Sequence, residues 1–331
     1  MEKLLDIKDL SVHYLMEEGT VKAVNSLTFD LMPGESIGLV GETGAGKTTT
    51  ALSILRLVQS PPGVVVDGRI EFNGKNLLLA SEAEMREIRG SKISMIFQDP
   101  MTSLNPVFSV GDQIAEVVKL HNAGITAKDA MKRAEDMLDM VGIQKQRYKE
   151  YPHQFSGGMR QRIVIAIALA CNPTLLISDE PTTALDVTIQ AQVLELMKGL
   201  KKEFNTSMIM ITHDLGIVAD FCDKVAIMYA GSVVELADKR SLFTAPRHPY
   251  TVGLFGSIPD ISKDEEMLRP IPGLMPDPMS LPGGCAFHPR CERALPECSE
   301  KAPGRARVGE SHYVSCLLYA DEGKKEEGGG E

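Results

Sequence analysis

The sequence predicts an α/β protein in which helices cover both faces of a largely parallel sheet. Short apolar runs typical of buried strands occur at residues 35–40, 92–97, 175–178, 207–212 and 224–229. Segments with helical periodicity alternate with these runs, and such alternation favours a parallel sheet. Most of the runs are too apolar for a sheet with one face in water, so we expect the sheet to be covered on both sides.

The composition is that of an ordinary globular chain. The 331 residues are 43% hydrophobic and 24% charged, with a net charge of -10. A main role in binding nucleic acid usually shows as a basic domain, so we expect no nucleic-acid partner. No stretch approaches the ~18 consecutive apolar residues of a membrane span, and the N-terminus lacks a signal-peptide apolar core. We therefore expect the chain to stay in the cytoplasm.

A change in composition near residue 240 predicts a domain boundary. Of the 19 prolines, 11 lie between Pro246 and Pro303, where few helices or central strands are expected. We predict a first domain over residues 1–240 and a small irregular domain over residues 241–320. The polar residues 321–331 are expected to be disordered. Helical periodicity without good strands predicts a helical insertion at about residues 100–170.

A glycine-rich segment after the first of these strands predicts a phosphate-binding loop. Its residues fit the pattern of Gly, four residues, then Gly-Lys-Thr: Gly41, Glu42, Thr43, Gly44, Ala45, Gly46, Lys47 and Thr48. Backbone N–H groups and the start of the following helix bind phosphate oxygens in such loops. Lys47 would neutralise β- and γ-phosphates, and Thr48 would ligate Mg²⁺. The loop predicts a nucleoside triphosphate as the ligand.

Polar side chains at the ends of three other strands predict a hydrolytic centre. Asp179 and Glu180 end an apolar strand, His213 follows another, and Gln98 follows a third. Ligands of parallel α/β sheets bind at the carboxyl ends of the strands. We assign Asp179 and the Gln98 oxygen to Mg²⁺, Glu180 to activation of the attacking water, and His213 to the γ-phosphate. Each residue taken alone also fits a solvated strand end.

A second glycine-rich turn precedes a long predicted helix. It contains Ser156, Gly157, Gly158 and Met159, and it offers a serine hydroxyl and exposed N–H groups at a helix start. An ordinary serine cap would look the same. Since the turn has no Lys-Thr pair of its own, we interpret it as half of a phosphate site, which a two-fold dimer would complete.

In this order along residues 4–235, these motifs resemble the ATPase subunits of ATP-binding-cassette (ABC) transporters. The resemblance implies a P-loop NTPase cassette with a RecA-like core, an antiparallel β subdomain and a helical insertion. It also implies that Tyr14 stacks on adenine, that Thr49 belongs to the ATP site and that Gln98 marks the loop sensing the membrane subunit. Residues 156–159 would act in trans on ATP of the opposite subunit, and Asp186, in Ala184-Leu185-Asp186, would communicate across the dimer.

Other segments are similar to the dipeptide and oligopeptide importer branch of that family. They are Phe155 and Met159, which replace the usual Leu and Gln of the second turn, then Arg160-Gln161-Arg162, residues 247–251, residues 257–259 and residues 271–273. By this resemblance the chain hydrolyses ATP to drive import of peptides. Its partners would be a second ATPase subunit, identical or paralogous, two membrane permeases and, indirectly, an extracytoplasmic binding protein. It would lie peripherally on the cytoplasmic face of the membrane.

Three other functions stay open on the sequence. A nickel or oligosaccharide importer would use an ATPase of the same family. A soluble cassette ATPase of DNA repair or translation should carry long coiled-coil insertions or two cassettes, and neither pattern occurs here. In a redox-regulatory or metal-binding protein, the cassette would be incidental.

Four cysteines crowd into the C-terminal region. Cys285, Cys291, Cys298 and Cys316 are separated by five, six and seventeen residues. Zinc knuckles usually contain cysteines two to four residues apart, so four thiolates at this spacing favour a [4Fe–4S] cluster over Zn²⁺. His288 and His312 are spare ligands that keep zinc as the alternative, and a reducing compartment disfavours disulfides. Similarity to importer ATPases with the same four cysteines also points to [4Fe–4S].

Overall fold

The structure is a computed structural model, and it describes residues 2–99, 103–183, 185–257 and 271–321. Of the tail predicted to be disordered, only Asp321 lies within these ranges. Ala184 and residues 258–259, which the resemblance singled out, lie outside them.

The described strands and helices follow in chain order. The strands are β1 (Leu5–Met16), β2 (Gly19–Leu31), β3 (Ser36–Val40), β4 (Gly63–Phe72), β5 (Lys75–Asn76), β6 (Ile93–Ile96), β7 (Leu175–Asp179), β8 (Ser207–Ile211), β9 (Lys224–Tyr229), β10 (Ser232–Asp238), β11 (Ala306–Gly309) and β12 (His312–Val314). The helices are α1 (Lys47–Ile54), α2 (Glu82–Ile88), α3 (Val110–His121), α4 (Ala127–Met140), α5 (Gly157–Leu169), α6 (Val187–Phe204), α7 (Leu215–Phe221), α8 (Lys239–Thr244) and α9 (Pro249–Gly256).

The α/β fold predicted from the sequence is confirmed. Each of the five predicted strands occurs, as β3, β6, β7, β8 and β9, with ends within two residues of the prediction. The helices predicted between the second and third of these strands occur as α3, α4 and α5. Long apolar runs and clear helical periods were sufficient for these elements because burial on both faces leaves little ambiguity in the pattern.

The chain folds as two compact units that interleave in sequence. The first contains Met1–Leu4, Leu31–Ser36 and Asn73–Thr212, and the second contains Leu5–Asp30, Ile37–Phe72 and His213–Glu331. The predicted boundary at residue 240 divides the chain differently and stays a prediction.

The first unit contains a parallel sheet and the helical insertion. β7 lies between β6 and β8 and is parallel to both, with Ile177 opposite Met95 on one side and Ile209 on the other. All residues of β7 and β8 are buried. α5 buries Ile163, Val164 and Ile165 in succession, so this helix is covered on most of its circumference.

The second unit contains the other strands that carry functional residues. β1 lies between β2 and β4 in an antiparallel sheet. β3 runs parallel to β9, and β9, β10, β12 and β11 continue as antiparallel neighbours. The C-terminal region is therefore less irregular than its prolines predicted. β11 and β12 follow the last proline of the cluster, and α9 has Pro249 in its first turn, where proline is compatible with a helix.

Candidate functional site

The predicted phosphate loop connects β3 to α1 in the second unit. All five residues of β3 are buried, and Gly46 caps α1 with φ at +94°. A Cβ on Gly46 would lie 2.4 Å from the carbonyl oxygen of Ala23, and a Cβ on Gly41 would lie 2.2 Å from that of Met228. Both positions therefore require glycine. The loop presents the N-terminus of α1, whose first turn contains no acidic side chain, to an anion.

Lys47 is held within this loop. Its side chain is buried, and Nζ donates to the carbonyl oxygens of Gly41 at 2.6 Å and Glu42 at 3.0 Å. Two loop carbonyls thus fix the ammonium beside the helix start. A buried cation at a helix N-terminus is suited to phosphate oxygens, because the charge and the backbone dipole act in the same direction.

Tyr14 and Thr49 are in contact in the second unit. Tyr14 lies on β1 opposite Gly63 of β4, and its hydroxyl is 3.3 Å from the Thr49 hydroxyl. Thr49 belongs to α1, two residues after Lys47. Tyr14, which the resemblance assigned to adenine, thus contacts the helix that follows the phosphate loop. Thr43 and Thr48 are exposed on that segment.

Asp179 and Glu180 lie at the carboxyl end of β7 in the first unit. Asp179 is buried. Glu180 has φ at +46°, and its N–H donates to the carbonyl of Ile211 at 2.9 Å. This left-handed conformation costs roughly 1–2 kcal/mol for a residue with a Cβ. Backbone strain of this kind is concentrated at functional sites, where it directs a side chain.

The Glu180 carboxylate is oriented by two neighbours of the same unit. Gln98 Nε2 donates to Oε2 at 2.9 Å, and the Thr183 hydroxyl donates to the same oxygen at 3.0 Å. The strand ends of β6 and β7 therefore bring Gln98 and Glu180 together, in a contact that the sequence analysis did not specify. Gln98 uses its amide nitrogen in this contact, and the assignment of its oxygen to Mg²⁺ stays a prediction.

His213 begins the part of the second unit that follows β8. It is exposed. The next residue, Asp214, caps α7, because its Oδ1 accepts from the N–H groups of Gly216 at 2.7 Å and Ile217 at 3.3 Å. The cap fixes the backbone directly after His213.

The second glycine-rich turn starts α5 in the first unit. The Ser156 hydroxyl accepts from the Met159 N–H at 3.4 Å, and both Ser156 and Gly157 are exposed. A Cβ on Gly158 would lie 2.5 Å from Cγ2 of Ile189 on α6. The Ile189 N–H donates at 3.0 Å to Asp186, which caps α6. The turn and Asp186 therefore share Ile189 as a neighbour.

Arg147 contacts Phe155 and Met159, the two residues that depart from the usual sequence of that turn. Its guanidinium lies 4.1 Å from the centre of the Phe155 ring, and Nη1 donates to the Met159 sulfur at 3.6 Å. An ion pair with Glu150 at 2.6 Å holds the arginine in place. Phe155 and Met159 thus serve as the aromatic and sulfur contacts of one cation.

Sequence reasoning missed a group of residues around Glu42. The Glu42 N–H donates to the Tyr250 hydroxyl at 3.1 Å, and its carboxylate pairs with Arg290 at 3.1 and 3.2 Å. Tyr250 lies within the segment 247–251 that resembles the peptide-importer branch. Arg290 carries no motif, and its pairing with a residue 248 positions away has no signal in one sequence.

A buried charged group anchors β12 to β10. Glu235 is fully buried and accepts from the N–H groups of Arg247 at 2.7 Å and His248 at 2.8 Å, and His312 Nε2 lies 2.6 Å from its Oε1. Burial acts to raise the pKa of Glu235, but these hydrogen bonds outweigh it and lower the pKa. Burial lowers the pKa of His248 to about 4.

The contact between His312 and Glu235 also concerns the predicted role of His312 as a spare zinc ligand. Because Nε2 of His312 lies against Glu235, the structure does not present His312 as a spare ligand beside the cysteines.

The four C-terminal cysteines are free thiols in the structure. Burial raises the pKa of Cys285 and Cys291, and raises that of Cys316 to about 11. In the described ranges, no group of three or more Cys, His, Asp or Glu side chains is arranged to hold a metal ion. The placement therefore does not support the predicted [4Fe–4S] or Zn²⁺ site. Metal binding needs thiolates, whereas burial here favours neutral thiols.

Within the part of the chain that the structure describes, no helix has both the length and the apolar character that crossing a membrane requires.

Comparison with protein families gives two matches. Residues 24–183 match the family described as ABC transporter, and residues 234–298 match the C-terminal region of oligopeptide/dipeptide transporters. The first match contains the phosphate loop, the second glycine-rich turn and the Asp179-Glu180 pair.

Individual proteins resemble almost the whole chain. The oligopeptide transport ATP-binding protein AppD of Bacillus subtilis is 49% identical over 98% of this chain and 100% of its own length. The dipeptide transport ATP-binding protein DppD of the same organism is 50% identical over 96% of this chain and 95% of its own. OppD of Escherichia coli, named an oligopeptide transport ATP-binding protein, is 48% identical over 93% of each chain.

Solved structures with the same fold are ABC cassettes. The cassette MJ0796, determined as a dimer in a post-hydrolysis state with ADP and Pi, has a TM-score of 0.64 and 26% identity over 71% of this chain and 99% of its own. CbiO1 of Clostridium perfringens, part of the ABC transporter complex cbiONQ, has a TM-score of 0.63 and 27% identity over 77% of this chain and 96% of its own. The chain therefore belongs to the ATP-hydrolysing ATP-binding subunits of ABC transporters, in their oligopeptide/dipeptide group.

Proposed function

We propose that this chain hydrolyses ATP in a dimer with a second ATPase subunit and thereby drives import of dipeptides or oligopeptides through two membrane permeases. The observation that carries the proposal is the similarity over nearly the full length to oligopeptide and dipeptide transport proteins, which includes the C-terminal region. The glycine-dependent phosphate loop around Lys47 and the oriented Glu180 carboxylate supply the chemistry. The chain would act at the cytoplasmic face of the membrane, with an extracytoplasmic binding protein as an indirect partner.

The phosphate loop binds the triphosphate in this proposal. Lys47 neutralises the β- and γ-phosphates, while N–H groups of the loop donate to their oxygens. Thr48, Asp179 and the Gln98 oxygen would hold Mg²⁺. A hydroxyl, a carboxylate and an amide oxygen are hard ligands that suit this ion, and Mg²⁺ would neutralise charge on the transferred phosphoryl group. Tyr14 stacks on the adenine.

Glu180 is the general base in this proposal. The two hydrogen bonds onto Oε2 and the left-handed backbone fix the direction of its carboxylate. A base must be oriented toward the proton that it removes from the attacking water. His213 donates a hydrogen bond to the γ-phosphate and supports the charge that develops there.

Residues 156–159 complete the site of the opposite subunit in this proposal. Their contribution comes from the Ser156 hydroxyl and backbone N–H groups at the start of α5, where an anion is favoured. Met159 takes part through its backbone, since its side chain contacts Arg147. Asp186, which shares Ile189 with this turn, links the two sites of the dimer.

Deletion of the gene tests the proposed substrate class. We expect uptake of labelled dipeptides and oligopeptides to fall to background, with nickel and oligosaccharide uptake unchanged. The parent gene should restore peptide uptake and a Lys47→Ala copy should not, because transport depends on ATP binding. Loss of nickel or oligosaccharide uptake with normal peptide uptake would assign the chain to the other importers of this family.

We also propose that Cys285, Cys291, Cys298 and Cys316 bind a [4Fe–4S] cluster, with Zn²⁺ as the alternative. Support comes from the chemistry of the four thiols, from the family resemblance and from backbone hydrogen bonds around Cys298. The Cys285 N–H donates to the Cys298 carbonyl at 2.8 Å, and the Leu295 N–H donates to the Cys298 sulfur at 3.4 Å. Hydrogen bonds to sulfur are typical of cluster ligands. Assembly would require deprotonation of the thiols and a rearrangement of their side chains.

Metal analysis tests the cluster. Protein purified without oxygen should contain about four irons and four sulfides per chain and absorb near 400 nm. Cys298→Ser should lose most of the iron, whereas Cys171→Ser, a change outside the group, should keep it. About one zinc per chain without iron would favour the zinc alternative. Absence of both metals from the parent would contradict the proposal.

A further inference from the structure

Glu42 places a carboxylate in a loop that binds phosphate. It is the second residue of the glycine-rich loop, and its own carbonyl accepts from Lys47. A negative charge close to a triphosphate weakens binding unless a cation compensates it. The Glu42 carboxylate would therefore repel the phosphates that the same loop binds.

Arg290 supplies the compensating cation. Its Nη1 lies 3.1 Å from Oε1 and 3.2 Å from Oε2 of Glu42, and it also donates to the Tyr229 hydroxyl at 3.4 Å. The Arg290 side chain is only 7% exposed, compared with 32% for Glu42. Because the cation is shielded from water, solvent screens this pair less than a surface ion pair.

The surroundings of Arg290 fix its direction. Nε donates to the Pro272 carbonyl at 2.8 Å, and the guanidinium lies 5.8 Å from the centre of the Tyr229 ring. That ring packs against Tyr250 and Phe287, with centroids 4.7 and 5.1 Å away. Arg290 is therefore attached to a buried aromatic group and is not a mobile surface side chain.

The backbone of Glu42 is held from the same region. Its N–H donates to the hydroxyl of Tyr250, a member of that aromatic group. Arg290 and Tyr250 both lie within residues 234–298, which match the oligopeptide/dipeptide C-terminal region, and outside residues 24–183, which match the ABC transporter family. The C-terminal region thus contacts both the main chain and the side chain of one loop residue.

We propose that Arg290 is a positioning residue for ATP, which neutralises the charge of Glu42 beside the phosphates, so that the C-terminal region forms part of the nucleotide site. This inference rests on the proposed assignment of the loop to ATP. It differs from a purely structural contact between the C-terminal region and the loop, because it requires the charge of Glu42 to matter for phosphate binding.

A four-variant cycle on the full chain, purified without oxygen, tests the inference. Equilibrium binding of ATP and ADP should show that Arg290→Gln weakens ATP binding about tenfold and ADP binding less, because the repulsion grows with phosphate charge. Glu42→Gln should tighten ATP binding, since Arg290 then adds a positive charge that is not compensated. The double variant should bind within about threefold of the parent. In hydrolysis, Arg290→Gln should raise KM for ATP and leave kcat unchanged.

Arg305→Gln is the matched control. Arg305 lies in the same compact unit but outside residues 234–298, and its guanidinium lies 4.1 Å from the Tyr313 ring and donates to the Thr28 carbonyl. Arg305→Gln should bind ATP like the parent.

Equal ATP affinity of Arg290→Gln and the parent would overturn the inference and leave the proposed function intact. A double variant that binds ATP no better than Arg290→Gln would do the same. If Arg290→Gln does not fold, weaker ATP binding by Glu42→Gln alone would overturn it. Failure of the parent and Arg305→Gln to bind ATP would contradict the proposed function itself.

Discussion

Replacement of Glu180 by glutamine should lower steady-state ATP hydrolysis by roughly 100-fold or more while ATP binding is retained. General-base catalysis contributes about 10²- to 10⁴-fold to a rate, and the amide cannot accept the proton of the attacking water. Lys47 and the phosphate loop are unchanged, so the nucleotide should stay bound. An ATP-bound dimer should therefore accumulate in Glu180→Gln, because the step that reopens it is lost.

The structure shows why this substitution is a mild one for the fold. In Glu180→Gln, the side-chain amide oxygen could still accept from Gln98 and Thr183, which donate to the Glu180 carboxylate in the parent at 2.9 and 3.0 Å. The left-handed backbone at residue 180 is the same for both side chains. A large loss of turnover would consequently report chemistry and not misfolding.

Three measurements check the Glu180 prediction. They are phosphate release, ATP retained after gel filtration, and mass by light scattering with Mg²⁺ and ATP. Glu195→Gln serves as the control, since the Glu195 side chain is 79% exposed on α6 and pairs with Lys198 at 3.8 Å. Turnover of Glu180→Gln at the parental rate would remove Glu180 from the role of base.

The sequence was most informative where burial or a motif fixes the local structure. β7 and β8 could be predicted because every residue in them is buried. β1 and β4 could not be predicted individually, since their exposed and buried residues do not alternate regularly and β1 pairs through a register shift. The antiparallel sheet that they form followed only from the family resemblance.

In the candidate site, too, some features could be predicted from the sequence and others could not. The phosphate loop was predictable because glycine is required at positions such as Gly46, where a Cβ would collide with the backbone. The position of Gln98 and Glu180 at strand ends followed from the apolar runs before them, but the hydrogen bond between the two side chains was not predicted. The contact between Glu42 and Arg290 joins segments that have no common period or spacing, so only the three-dimensional structure reveals it. Cysteine spacing likewise predicted ligands but not the arrangement of their thiols.

Lys47→Ala should weaken ATP binding by about 10- to 100-fold. A hydrogen bond to a charged group contributes about 1.5–3 kcal/mol, and each 1.4 kcal/mol is a factor of ten in affinity. The loss should be larger for ATP than for ADP, because Lys47 is assigned to both the β- and the γ-phosphate. The substitution also removes the hydrogen bonds from Nζ to the carbonyls of Gly41 and Glu42, so some of the loss would come from a less ordered loop.

Titration with ATP and ADP, together with thermal melting with and without nucleotide, checks the Lys47 prediction. The parent should gain melting temperature on addition of ATP, since a ligand that binds only the folded state stabilises it, and Lys47→Ala should gain little. Lys145→Ala is the control. Its side chain is 42% exposed, and its ammonium pairs with Asp136 at 2.9 Å on the surface of the helical insertion, where loss of one cation should not affect nucleotide binding. Unchanged ATP affinity in Lys47→Ala would show that the loop binds ATP without this cation, and that backbone N–H groups alone stabilise the phosphates.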